Sequence, residues 1–184
     1  MPEPRFDPSR AIRFDLVRGQ LELDGASRLL IPAEALAALC KGAGPDASID
    51  FGRRLGTEVG RRVAERLGLD RADIESVVEH LGGDLALIGF GSLTVERWGR
   101  ALVFNVTGSP LGAEGDALLA AVLEGALQRG FTRDTRIVLL ARDSDQVRLL
   151  VSNPRTAPKV RGWLSDGTSW GQVLERLHTA RGEA

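Results

Sequence analysis

The chain has no tyrosine, a single cysteine (Cys40), two histidines and one methionine among 184 residues. Each scarcity closes a line of chemistry. One cysteine forbids an intramolecular disulfide and an all-cysteine zinc site. His80 and His178 stand at neither H-x-x-x-H nor H-E-x-x-H spacing, so a paired-imidazole metal site has no motif to rest on. The lack of tyrosine removes tyrosine-based acid catalysis. Lysine is confined to Lys41 and Lys159, and neither ends a phosphate-binding P-loop. No run approaches the roughly 18 apolar residues of a membrane-spanning helix. The opening MPEPRFDPSR carries three prolines and no apolar signal core, so the expectation is a cytoplasmic chain. With 24 basic and 25 acidic residues the net charge is -1, which gives no field for nucleic acid or an anionic membrane.

What is present reads as one soluble globular domain, with 43% apolar and 27% charged residues. Residues 1–10 are expected to form a poorly ordered tail, and 11–184 a single domain ending in a loop and helix. From Ile12 to Leu23, apolar and polar residues alternate on both sides of Gly19, as in a bent strand or short hairpin. SRLLIPAEALAALCKGAG predicts an extended segment and then a helix, with Pro32 near its first turn and a stop at Gly42, Gly44 and Pro45. Cys40 falls in that helical pattern as a small buried hydrophobe. RIVLLARDSDQVRLLVSN predicts a hairpin turning at Asp143-Ser144-Asp145. Residues 152–169 read as irregular and are the candidate for specificity. The final helix, WGQVLERLHTA, takes Ser169 as its cap and Val173, Leu174 and Leu177 as its apolar face. Trp163 and Trp170 are read as anchors for it.

Three stronger helices precede that end. In FGRRLGTEVGRRVAERLG, Leu55, Val59, Val63 and Leu67 form an apolar stripe, with Gly56, Gly60 and Ala64 as a row of small residues beside it. Such a row admits another backbone at close range and offsets the helix-propensity cost of about 1 kcal/mol per glycine. Arg53, Arg54, Arg61 and Arg62 interleave with Glu58 and Glu65 and read as a solvated face in preference to an anion-binding patch. After Gly68, Asp70 is the expected cap of a helix burying Ile74, Val77, Val78 and Leu81, with His80 near its C-terminal dipole. EGDALLAAVLEGALQRG is apolar around most of its circumference, which predicts a central helix packed on a sheet on one side and on another helix, a partner subunit or a ligand cavity on the other.

Between these helices, LALIGFGSLTVERWGRALVFNVTGSP predicts two strands joined near Trp98-Gly99. Leu102, Phe104 and Val106 share one face of the second, and Val103, Asn105 and Thr107 the other. Gly89 and Gly91 suggest a dinucleotide loop, but Thr94 replaces the third glycine and no helix follows. They are therefore read as curving a strand.

The order of these features resembles the 4-vinyl-reductase domain family and the related Bet-type small subunits of the TRAPP tethering complex. The matching features are the Gly56–Gly60 helix, the Gly89, Gly91 and Leu93 strand, Val106 followed by Ser109-Pro110, and the Glu124–Leu127 EGAL helix, over about residues 27 to 152. The resemblance implies an α/β (α+β) domain in which a twisted, mainly antiparallel sheet packs against a helical layer. It also implies a noncatalytic interaction or scaffold module that forms homodimers. Gly56, Gly60, Val63 and Ala64 are the expected interface. An alternative is a sensor or carrier of an apolar small molecule or acyl chain, held among Phe90, Phe104, Leu119, Val122, Leu123 and Ala126. No catalytic, metal or cofactor residue is expected. The cysteine-rich segment of zinc-binding members is missing from this sequence, and Cys40 does not align with the acylated cysteine of TRAPP subunits.

Overall fold

The computed structural model describes residues 12–68, 74–131 and 134–179. The expected tail at 1–10 and the expected cap Asp70 lie outside the described residues. The first alternating run folds as a small antiparallel sheet, Ile12–Asp15 (β1), Gln20–Leu23 (β2) and Ala26–Arg28 (β3). Asp24 and Gly25, both at positive φ, make the two-residue turn between β2 and β3, the chemistry that an Asp-Gly hairpin uses.

Two helices follow almost without a break, Ala33–Ala43 (α1) and Pro45–Leu67 (α2). Gly44, at φ +88°, makes the corner, and Pro45 opens α2, where its missing N–H costs nothing. A third helix, Ile74–Leu87 (α3), leads into the hairpin Ser92–Trp98 (β4) and Ala101–Thr107 (β5). The long apolar helix Asp116–Phe131 (α4) comes next, and then the hairpin Arg136–Asp143 (β6) and Gln146–Ser152 (β7). The last two helices are Ala157–Ser165 (α5) and Trp170–Thr179 (α6).

The second sheet is wholly antiparallel, in the order β4-β5-β7-β6. Its two faces follow the period-2 alternation of its strands. Phe104, Val106, Val147, Leu149 and Ile137 face Val59 of α2, Leu81 and Leu85 of α3, and the apolar side of α4. Val103, Val138, Leu140 and Leu150 face the opposite way, onto Ala157 and Val160 of α5 and Val173 and Leu174 of α6. The sheet is thus covered on both faces, which is why β5 is buried on consecutive residues from Val103 to Val106. The α/β class expected from the sequence is what the chain adopts.

The row of small residues on α2 meets α4 of the same chain. A Cβ at Gly56 would stand 1.9 Å from the Val122 carbonyl oxygen, and one at Gly60 2.3 Å from that of Ala126. Gly125 returns the contact, its Cβ position lying 2.3 Å from the Arg53 carbonyl oxygen. Two backbones touch here, and only glycine leaves room for that. Gly56, Gly60 and Val63 are buried and Ala64 is half-buried, so the close contact expected between subunits is made inside one molecule. Glu124 of the EGAL segment ties the layers together. Its Oε2 accepts the Ile137 amide at 3.1 Å while Oε1 accepts from Arg53 Nε at 3.1 Å.

Four local expectations are corrected. Helix α3 does not stop at Gly82-Gly83 but runs to Leu87, so His80 is buried in its middle rather than set at its C-terminal dipole. A Cβ at Gly82 would stand 3.3 Å from the Leu93 carbonyl oxygen, so the helix passes close to β4 there. Gly89 and Gly91 consequently form a helix-to-strand turn, not a strand bend. Gly89, at φ +77°, gives its amide to Ala86, and Phe90 reaches back to the Leu85 carbonyl, the bond pair of a Schellman C-cap. Arg62 is not on a solvated face but only 3% exposed. Finally, residues 157–165 are helical within the segment read as irregular. Pro158 sits in the first turn of α5, where a helix accepts it.

Candidate functional site

The residues expected to hold an apolar ligand do come together. Phe90 follows α3, Phe104 lies in β5, and Leu119, Val122, Leu123 and Ala126 line one side of α4. All six belong to one buried cluster, each at most 5% exposed. They are also covered by Val59, Leu81 and Leu85, so each fills space against the others as a close-packed core does. Cys40, half-buried on α1, packs on the edge of the same cluster.

A cleft of about 560 Å³ opens on the other side of the sheet, at the end where β5 begins, β7 ends and β6 begins. None of the six core residues lines it. Its apolar wall comes from Leu150 of β7, Leu174 and Leu177 of α6, and the Trp98 ring at the β4–β5 turn. Its polar rim is mixed in sign, with Arg100, Asp134 and His178 joined by Thr135, Ser152, Asn153 and Thr156.

The cleft's shape follows from local sequence. Gly99, at φ +60°, turns β4 into β5 and lies against the His178 ring, its Cβ position 2.8 Å from Nδ1. A side chain at Gly99 would be strained at this φ and would displace the His178 ring from the cleft. Trp98 packs edge-on against Trp170 at 5.7 Å and donates its indole N–H to Glu96 at 2.9 Å. The Arg148 guanidinium covers the other part of Trp170 at 5.0 Å. On the rim, the Asn153 carboxamide oxygen accepts the Arg155 and Thr156 amides, both at 2.9 Å, and so fixes the chain as it leaves β7 for α5. The tryptophans read as anchors do pack on the second core, Trp163 beneath Arg176 and Trp170 beneath Arg148.

Sequence reading reached only part of this site. Ser152, Asn153 and Thr156 belong to the segment marked for specificity. Trp98, Arg100, Asp134 and Thr135 carried no motif, because they converge from loops far apart in the chain. Gly167-Thr168-Ser169-Trp170-Gly171 also fits the letters G-x-S-x-G. It joins two helices instead of a strand and a helix, so it is no nucleophile elbow. Ser169 caps α6 there. Its Oγ accepts the Gln172 amide at 3.4 Å, and Gln172 Oε1 accepts the Ser169 amide at 3.1 Å, a reciprocal capping box. His178 lies nine residues further along α6, roughly 13 Å up the helix, beyond reach of that hydroxyl.

Among the described residues, no three His, Cys, Asp or Glu side chains cluster as a metal site, and no helix is long and apolar enough to cross a membrane. No protein-family model and no curated protein matches the sequence. Among solved structures, the chain is similar to the phenol-responsive sensory domain of the transcription activator PoxR, determined with phenol. The two share 12% sequence identity at a TM-score of 0.64, over 78% of this chain and 85% of that one. At that identity the likeness is one of fold: a sheet between helices, of the kind a phenol-responsive domain also uses.

Proposed function

We propose that the chain is a noncatalytic sensory module that binds a small organic molecule in the cleft beneath α6. One observation carries the reading. The cleft's volume of about 560 Å³ falls among those of small-molecule sites, roughly 300–1,000 Å³. It pairs an apolar wall with a few polar groups, the combination that seats an aromatic or aliphatic body and orients its polar end. The likeness of fold to a phenol-responsive domain favours this reading over a pure scaffold. The proposal also keeps the resemblance to the 4-vinyl-reductase family, which the mutual contact of the Gly56–Gly60 helix and the EGAL helix supports.

The test is calorimetric titration with monocyclic aromatics bearing one hydroxyl or carboxyl group, phenol and benzoate first. Saturable binding is expected, and Leu177→Trp, which fills the cleft from its rim, should abolish it without lowering the melting temperature by more than a few degrees. Binding that survives in Leu177→Trp places the ligand elsewhere.

We further propose that the module works as a homodimer, and one feature supports a covered surface. Phe14, Leu16, Val17, Leu29, Leu30 and Ile31 are large apolar side chains in the N-terminal part of the sequence, each more than half exposed. Their concentration in one stretch of the chain supports a surface that a second copy covers. Light scattering checks it: a dimer whose mass falls to that of a monomer in Leu29→Ser/Leu30→Ser is expected, and a wild-type monomer at micromolar concentration refutes it.

A further inference from the structure

We propose that Arg62, Arg66 and Arg28 form a binding site for a small oxyanion, which Asp24 occupies in this structure as a tethered carboxylate. Arg62 and Arg66 stand one turn apart on α2. Beneath them lies Asp84 of α3, fully buried, with Oδ1 3.0 Å from Arg66 Nη1 and Oδ2 3.4 Å from Arg62 Nε. Above them is the β2–β3 turn, where Asp24 Oδ2 accepts from Arg66 Nη2 and lies 3.8 Å from Arg62 Nε. Arg28 approaches from β3, close enough for its charge to act on Arg62.

Among the described residues, three guanidiniums therefore meet two carboxylates. The deficit shows in the hydrogen bonds: Arg62 Nη2 and Arg28 Nη2 are buried with no acceptor among the described residues, while Arg62 Nε and Asp84 Oδ2 face each other at 3.4 Å as an ion pair. Burial also pulls Arg62 below the usual arginine range. A buried guanidinium with unmade hydrogen bonds is costly, so the cluster has capacity for more negative charge than Asp24 brings. A carboxylate or phosphate group matches the planar fork of arginine and offers several acceptor oxygens at once.

What delivers Asp24 is lightly held. Within β1, β2 and β3 only Leu23 is buried. Lifting the β2–β3 turn would uncover the arginine pair at little cost in core packing. An arriving oxyanion would replace Asp24 on Arg66, reach the unused donors of Arg62 and Arg28, and free the small sheet. Site occupancy would thereby be reported at the N-terminal segment.

The test uses the full chain and inorganic phosphate, with ionic strength held constant by sodium chloride. Calorimetry should show saturable binding, and amide exchange in residues 12–28 should speed up as phosphate is added. Asp24→Asn, which removes the competing charge, should bind phosphate at least about tenfold more tightly, because the closed form no longer taxes the affinity. Its 12–28 amides should exchange fast even without phosphate. Arg66→Gln should retain its helical circular dichroism and lose the binding. Acetate in place of phosphate tells whether a planar carboxylate suffices, and either anion binding in this pattern supports the site. The proposal is overturned if Asp24→Asn binds both anions no more tightly than the wild type, or if phosphate does no more than chloride.

Discussion

Replacing Gly56 with alanine should unfold the chain at a markedly lower temperature, although alanine is the better helix former. The added Cβ would stand 1.9 Å from the Val122 carbonyl oxygen, with further backbone atoms of Val122 and Ala126 inside 3 Å. Restoring an ordinary separation of about 3.2 Å requires α2 and α4 to part by roughly 1 Å. Overpacking that side chains can absorb costs about 1–3 kcal/mol. Here the obstacle is backbone, which no rotamer change relieves, so the gross cost lies at or above the top of that range. The propensity gain of about 1 kcal/mol offsets part of it. A net loss of about 2–3 kcal/mol corresponds to a fall in Tm of roughly 5–10 °C for a chain of this size. The assay is thermal melting followed by far-UV circular dichroism, with Gly42→Ala as the internal control. Gly42 is also helical, in α1, but its Cβ position has nothing within 4 Å. Alanine there should stabilise by up to about 1 kcal/mol. Equal melting temperatures for the two variants would refute the claim that α2 and α4 meet backbone to backbone.

Other substitutions probe the remaining contacts. Glu124→Ala strips the acceptor from the Ile137 amide and Arg53, and should cost about 2–3 kcal/mol, with faster exchange of the Ile137 amide as its local signature. Asp84→Asn leaves Arg62 buried beside a neutral partner and should cost about 3 kcal/mol or more in chemical denaturation. Ser169→Ala breaks the capping box of α6 and should cost about 1 kcal/mol; an unchanged melting curve would show that α6 is held by its tryptophans alone. Gly99→Val puts a β-branched residue at φ +60° and should cost about 1–2 kcal/mol while displacing the His178 ring, read as a lower melting temperature and a shifted His178 ring signal.

Much of the framework was legible because its periodicities are unambiguous. The β4–β5 and β6–β7 hairpins announce themselves by alternation with turn residues between, and α4 by an apolar surface too broad for a single neighbour. The close approach at Gly56 and Gly60 was legible too, but not its partner, since a row of small residues says that a backbone comes near and not whose. Where the reading failed, two physical signals competed. LALIGFG alternates enough to suggest a strand, yet Leu81, Leu85 and Ile88 also fit a helix, and the helix won with Gly89 as its cap. Pro158 and Gly162 masked α5, because proline inside a loop and proline in a first helical turn look alike in sequence. Arg62 was misplaced because its burial depends on Asp84, on a different helix, and on Asp24, in a hairpin turn. The cleft was the least legible feature. Its residues come from turns and strand ends, whose meeting is decided by the sheet order and not by any local pattern.

The most direct measurement on the central claim is an amide nitrogen–proton correlation spectrum of the labelled chain, recorded while phenol or benzoate is titrated in. Saturable shifts centred on Arg100, Thr135, Ser152, Asn153, Thr156 and His178 are the result that a ligand site beneath α6 requires. Shifts centred on Leu119, Val122, Leu123 and Ala126, or no saturable shift with either compound, would contradict it.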